Sequence, residues 1–191
     1  DYGACSMVGR EDFSVCKGQH GRNSEIVLLP SMVQKWEQPD PTTYVFHIRK
    51  GILWPAQGPM RRADREVTAE DIVWWMEITR KEGVLKDLFA LTQSVEALDR
   101  YTVRVKKESP HAEFLRHMSH NSLAVFPREC YEEKGCLGKW TVSPGPYLYN
   151  EGQSQERLKA VFDRNPEFYL KGLPYPDRHV ILTITDPTAA K

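Results

Sequence analysis

From Thr43 to Arg49 the chain alternates with a period of two: Tyr44, Phe46 and Ile48 fall on one side of an extended strand, and Val45, His47 and Arg49 on the other. A helix cannot gather that pattern on one face, so this stretch commits the fold to a sheet. Just before it, Ser31 to Glu37 is separated from the strand by Gln38-Pro39-Asp40-Pro41, a turn-forming cluster, and the two segments read as a hairpin. A second hairpin is expected around Asp99-Arg100. It joins Ser94–Leu98 to Tyr101–Val105, with Tyr101, Val103 and Val105 facing one way and Thr102, Arg104 and Lys106 the other.

Between the hairpins the period changes to that of a helix. Thr68 is placed to cap free N–H groups, Asp71 sits three residues on, and Glu70 and Asp71 suit the positive end of a helix dipole. Ile72, Val73, Trp75, Met76 and Thr79 then recur at helical spacing, Glu77 and Lys81 are spaced to pair, and Gly83 is expected to end the helix. Shorter helices are expected at 84–91, 111–118 and 127–134, the last two opened by Pro110 and Pro127. Strands follow at 147–151, 157–162 and 179–185, and Asp186-Pro187-Thr188 reads as the start of another helix. Residues 51–66 read as a long loop and residues 1–24 as mostly loop. The fold class is therefore mixed α/β.

Composition limits what such a fold would do. The 26 basic and 26 acidic side chains cancel, leaving no electrostatic reason to expect nucleic acid or an anionic membrane as partner. Runs such as Ile26 to Leu29 and Ile72 to Met76 fall far short of the roughly 20 apolar residues that span a bilayer. No signal peptide is legible after Asp1, so for an exported protein that address would have been removed. Cys5 with Cys16 and Cys130 with Cys136 form two local pairs without Cys-x-x-Cys spacing. Two disulfides and four buried thiols are both compatible with that arithmetic. Cys130 and Cys136 are expected to lie close together, because Gly135 lets the chain turn back between them.

Motifs for catalysis are missing or spoiled. Gly135-Cys136-Leu137-Gly138-Lys139-Trp140-Thr141 looks like a phosphate loop, yet two residues rather than four separate its glycines, and Trp140 stands where the hydroxyl should meet Mg²⁺. Neither Gly-x-Ser-x-Gly nor His-Glu-x-x-His occurs. Glu96, Asp99 and Glu113 read as solvated charges. His111, His117 and His120, with Met118 or Cys130, would make a transition-metal site; the preferred reading is a solvent-facing helix end with scattered histidines. Among the five tryptophans, Trp36 and Trp75 sit at core-like positions, whereas Trp54 and Trp140 lie in loops and are the better surface candidates.

An ordered series of short motifs carries a family resemblance. Lys35-Trp36-Glu37, Thr43 to Gly51, Glu66-Val67-Thr68-Ala69-Glu70-Asp71-Ile72-Val73, Val95 to Val103, Ser143-Pro144-Gly145-Pro146-Tyr147, Arg164-Asn165-Pro166-Glu167-Phe168-Tyr169 and Ile184 to Ala190 follow one another from about residue 25 to the end. Together they resemble the extracellular solute-binding proteins for oligopeptides, dipeptides and nickel. Ser143-Pro144 and Leu170 depart from that pattern, and residues 1–24 match nothing in it. The resemblance implies a periplasmic-binding-protein-like clamshell of which this chain is most of the first lobe. It implies an irregular segment at 1–24, a small subdomain at 25–127 and part of a larger one at 128–191, with the second lobe absent. It further implies a non-enzymatic role without a cofactor: capture of oligopeptides or similar solutes outside the membrane for the permease of an ABC importer. The location would be periplasmic, or anchored at the cell surface as a lipoprotein. The position matching His120 bears a histidine in some peptide-binding members, so His120 and Asn121 are expected to face the ligand, with Trp54 and Trp140 as further ligand-binding candidates. The other open reading is a stand-alone single-lobe module that binds a partner or a transition metal.

Overall fold

The alternation around residue 45 builds the centre of a four-stranded antiparallel sheet. A computed structural model describes residues 8–12, 26–58, 60, 65–119, 123–140 and 142–184. In it β3 (Val33–Asp40), β4 (Thr43–Ile48), β5 (Thr92–Asp99) and β6 (Thr102–Lys107) lie in the order β3-β4-β6-β5. The register sets Tyr44 opposite Val105 and Phe46 opposite Val103, so the apolar sides of two hairpins form one face. Over that face lies α1 (Ala69–Glu82), which contributes the buried Ile72, Trp75, Met76 and Thr79. Burying a side chain the size of Phe46 or Trp75 is worth about 2–3 kcal/mol, and both are at most 1% exposed.

The start of α1 is fixed by the expected chemistry, with the Asp71 carboxylate accepting from the Thr68 N–H at 2.8 Å and its Oγ1 at 3.0 Å. Its end is fixed differently from a left-handed cap. Gly83 has a φ of −66°, and glycine is required by close approach, because a Cβ there would lie 2.4 Å from the Thr79 carbonyl oxygen. Glu77 pairs with Arg80 at 2.7 Å rather than with Lys81. The first hairpin also turns later than expected. Gln38, Pro39 and Asp40 remain in β3, and the Asp40 carboxylate accepts from the Thr42 N–H and hydroxyl. Proline is tolerated there because β3 is an edge strand.

The 84–91 helix reduces to a 3-10 turn at Lys86–Phe89, and the next two are short: α2 (Phe114–Met118) and α3 (Arg128–Glu132). A further turn, α4 (Cys136–Lys139), was not expected. β7 (Tyr147–Tyr149), β8 (Lys159–Arg164) and β9 (Arg178–Leu182) form a second antiparallel sheet. Residues 1–24 are not all loop, since β1 (Val8–Asp12) pairs with β2 (Ile26–Pro30). The Asp186-Pro187-Thr188 expectation and the Cys5–Cys16 pair lie outside the described residues.

Candidate functional site

The long loop after β4 is held at both ends. The Glu66 carboxylate accepts from the Gly51 N–H at 2.6 Å, the Tyr101 hydroxyl at 2.9 Å and Arg100 at 3.0 Å. The Gly51 N–H is the strongest influence holding Glu66 below the usual carboxylate range. Nearby, Arg65 meets Asp71 in two contacts, the shorter 2.6 Å, and reaches Glu129 at 2.6 Å. Its guanidinium also lies 5.7 Å from the Trp54 ring. One cation thus joins the loop, the start of α1 and the start of α3.

Trp140 sits where this loop meets the segment leading to β7. Its indole packs so closely on Gly58 that a Cβ there would stand 2.7 Å from Cδ1, and Gly58 also has a φ of +56°. Next to Gly58, the Gln57 side chain donates to the Tyr149 carbonyl at 2.9 Å. The Cys130–Cys136 disulfide, with Cα atoms 5.3 Å apart, closes the turn that precedes Trp140 and meets the expectation that these cysteines lie close. Two separated motifs are then joined by Asn165, only 4% exposed, whose side chain donates to the Gly145 carbonyl at 2.8 Å. In this region Trp54 Nε1 and Ser143 Oγ are buried polar atoms with no hydrogen-bond partner among the described residues. Such atoms are suited to a water or a ligand.

The expected ligand-facing residues fare differently. His120 and Asn121 lie outside the described residues. Trp140 is half-buried and packed on the core. Trp54 was expected at a surface and is instead 1% exposed, because the loop folds back over the hydrophobic core; its ring offers no stacking face. The histidines do not mark a solvent-facing helix end either. His111 and His117 are half-buried with ring centroids 5.1 Å apart, since Phe114 draws the segment onto Tyr44 and Phe46. Among the described residues no three His, Cys, Asp or Glu side chains converge as a metal site requires.

Sequence reasoning missed Lys107 and Arg65, and the contact by which Asn165 reaches Gly145. Lys107 was findable, because extending the period-two pattern of β6 from Val103 and Val105 puts it on the core face. A groove of about 700 Å³ lies elsewhere, lined by Lys35, His47, Arg49, Lys50, Arg100 and Tyr101 among others. It includes none of the expected ligand residues, and two of its cations, Lys35 and Arg100, are already paired with Glu37 and Glu66.

Comparison with known proteins settles the family. Residues 27–191 match the family described as bacterial extracellular solute-binding proteins, family 5 Middle. The chain belongs to this family. It is thereby a member of a solute-binding group, not of an enzyme group. A di/tripeptide-binding protein of Pseudomonas aeruginosa is 23% identical over 181 residues, covering 84% of this chain and 33% of that protein. MoaA of A. tumefaciens, solved with mannopinic acid, superposes with a TM-score of 0.78 at 21% identity over 98% of this chain and 36% of that one. NikZ of Campylobacter jejuni, solved with Ni(L-His), gives 0.74 at 20% identity over 98% of this chain and 35% of that one. This chain therefore has the family 5 fold and spans about a third of the length of these relatives. No helix among the described residues is long and apolar enough to cross a membrane.

Proposed function

We propose that this chain is the first-lobe portion of a family 5 binding protein that captures peptides or similar solutes outside the membrane for an ABC permease. The carrying observation is the family match over residues 27–191, a range that takes in the four-stranded and the three-stranded sheets. In this reading residues 25–127 form a small subdomain, residues 128–191 form part of a larger one, and the second lobe comes from further polypeptide. β9 supports that division. Its Val180, Ile181 and Leu182 are between 44% and 59% exposed, so both sides of an apolar strand lack cover among the described residues. Such a strand suits the interior of a larger sheet.

His120, Asn121, Trp54 and Trp140 are the proposed ligand-binding groups, Trp54 through its buried Nε1, which has no hydrogen-bond partner among the described residues. A cleft of this kind takes an extended ligand through main-chain hydrogen bonds and water-filled pockets and closes on it. Location in the periplasm or as a surface-anchored lipoprotein belongs to the same reading. The relatives' ligands are diverse, which makes peptide the claim to test. Adding millimolar tripeptide to ¹⁵N-labelled protein should shift the Trp140 indole signal, and the response should weaken in His120→Ala. Shifts produced only by Ni²⁺ with histidine would assign another ligand class. Shifts confined to residues far from Trp140 would remove the proposed site.

A further inference from the structure

Lys107 and His111 flank Phe114, His117 adjoins His111, and none of the three forms an ion pair with an acid among the described residues. Lys107 is 1% exposed, with its ammonium 4.8 Å from the Phe114 ring centroid, donating to the Ala90 carbonyl and the Thr92 hydroxyl. The His111 ring is 6.2 Å from the same ring and meets His117 edge-on at 5.1 Å. Both imidazoles bury Nδ1 without a partner among the described residues, although the His111 carbonyl is held by the Tyr44 hydroxyl at 2.8 Å. We propose that Lys107, His111 and His117 form an acid-sensitive latch that docks residues 111–119 on the sheet at neutral pH and releases them as the His111 imidazole protonates beside the other two groups.

The chemistry runs in one direction. A neutral imidazole leaves Nδ1 as a buried lone pair, which is tolerable, but an imidazolium carries an N–H on both nitrogens. That second donor would point into a site with no acceptor among the described residues, beside another imidazole and a buried ammonium. Burial, then Lys107 and His117, hold the His111 pKa below its ordinary value, with Glu113 opposing them. Glu113 is exposed and engaged by Arg116 at 3.2 Å. The other charges facing the cluster do not reverse the balance. Glu108 favours the Lys107 charge and Arg80 opposes it, while Lys86 and Asp87, on the 3-10 turn beside α2, are both exposed.

The test is a titration of the ¹⁵N-labelled chain from pH 7.5 to 5.0, following the His111 ring and the Phe114–Met118 amides by NMR. His111 should titrate below its ordinary value of about 6.5, and the α2 amides should move with it. In the double variant His111→Gln, His117→Gln those amides should stay in place over the same range. Titration of His111 at or above 6.5, or α2 amides indifferent to it, overturns the latch even if the variant fails to fold. Equal movement of the amides in a folded variant overturns it as well.

Discussion

Replacing Lys107 by methionine should remove a rise in stability with pH. The wild-type ammonium lies on the core face of β6, 1% exposed, and burial lowers its pKa from 10.5 to about 8. The unfolded chain keeps this proton until about pH 10.5, whereas the folded chain releases it near 8. Between those values the unfolded state binds more protons, so stability rises with pH; below pH 8 the full cost of the buried charge is present. At about 1.4 kcal/mol per unit the whole effect is about 3 kcal/mol, of which about 2 kcal/mol falls between pH 7 and 9.5. Urea denaturation of both proteins at those two pH values measures it. Lys107→Met keeps the stem and removes the charge, so its change over the interval should be smaller than wild type by about 2 kcal/mol. Equal changes in the two proteins would refute a buried, charge-penalised Lys107.

Three other perturbations probe the frame of the candidate site. Arg65→Ala should cost about 2 kcal/mol in urea denaturation, because it strands Asp71, whose side chain is 10% exposed, and frees Glu129; a loss below about 0.5 kcal/mol would make the clamp a surface pair. Gly58→Ala should destabilise by at least about 1 kcal/mol, through both the positive φ and the contact with Trp140, and should shift tryptophan fluorescence; a neutral result would mean that the loop does not pack on Trp140. Thiol titration of the unfolded, unreduced protein should find fewer than four free thiols, with about 2 kcal/mol lost on reducing Cys130–Cys136; four free thiols would remove the disulfide.

The strands and α1 were legible where one physical signal dominated. Tyr44, Phe46 and Ile48 alternate with the less buried Val45, His47 and Arg49, and Thr68 with Asp71 is a local cap that needs no tertiary partner. What failed depended on contacts distant in sequence. Trp54 reads as a surface residue because its neighbours are loop formers, yet the core covering it comes from other elements. The same blindness hid strand β1, whose residues Gly9, Arg10 and Glu11 look like loop until the apolar run of β2 pairs with them. Lys107 shows the opposite error. Its position in the alternation was readable, but a lysine at a strand end invites the solvated reading even when the pattern points inward. At the candidate site the motifs marked Pro144-Gly145-Pro146 and Asn165, but not that the Asn165 side chain joins them.

Calorimetric titration of the chain with a mixed library of short peptides addresses the half-clamshell directly. A two-lobed receptor gains affinity by burying its ligand between two surfaces, and residues 1–191 supply one of them in the reading proposed above. Binding should therefore be weak, with a Kd of roughly 1 mM or higher, worth about 4 kcal/mol or less. Micromolar binding by this chain alone would mean that the site is complete within it, and the first-lobe assignment would be wrong.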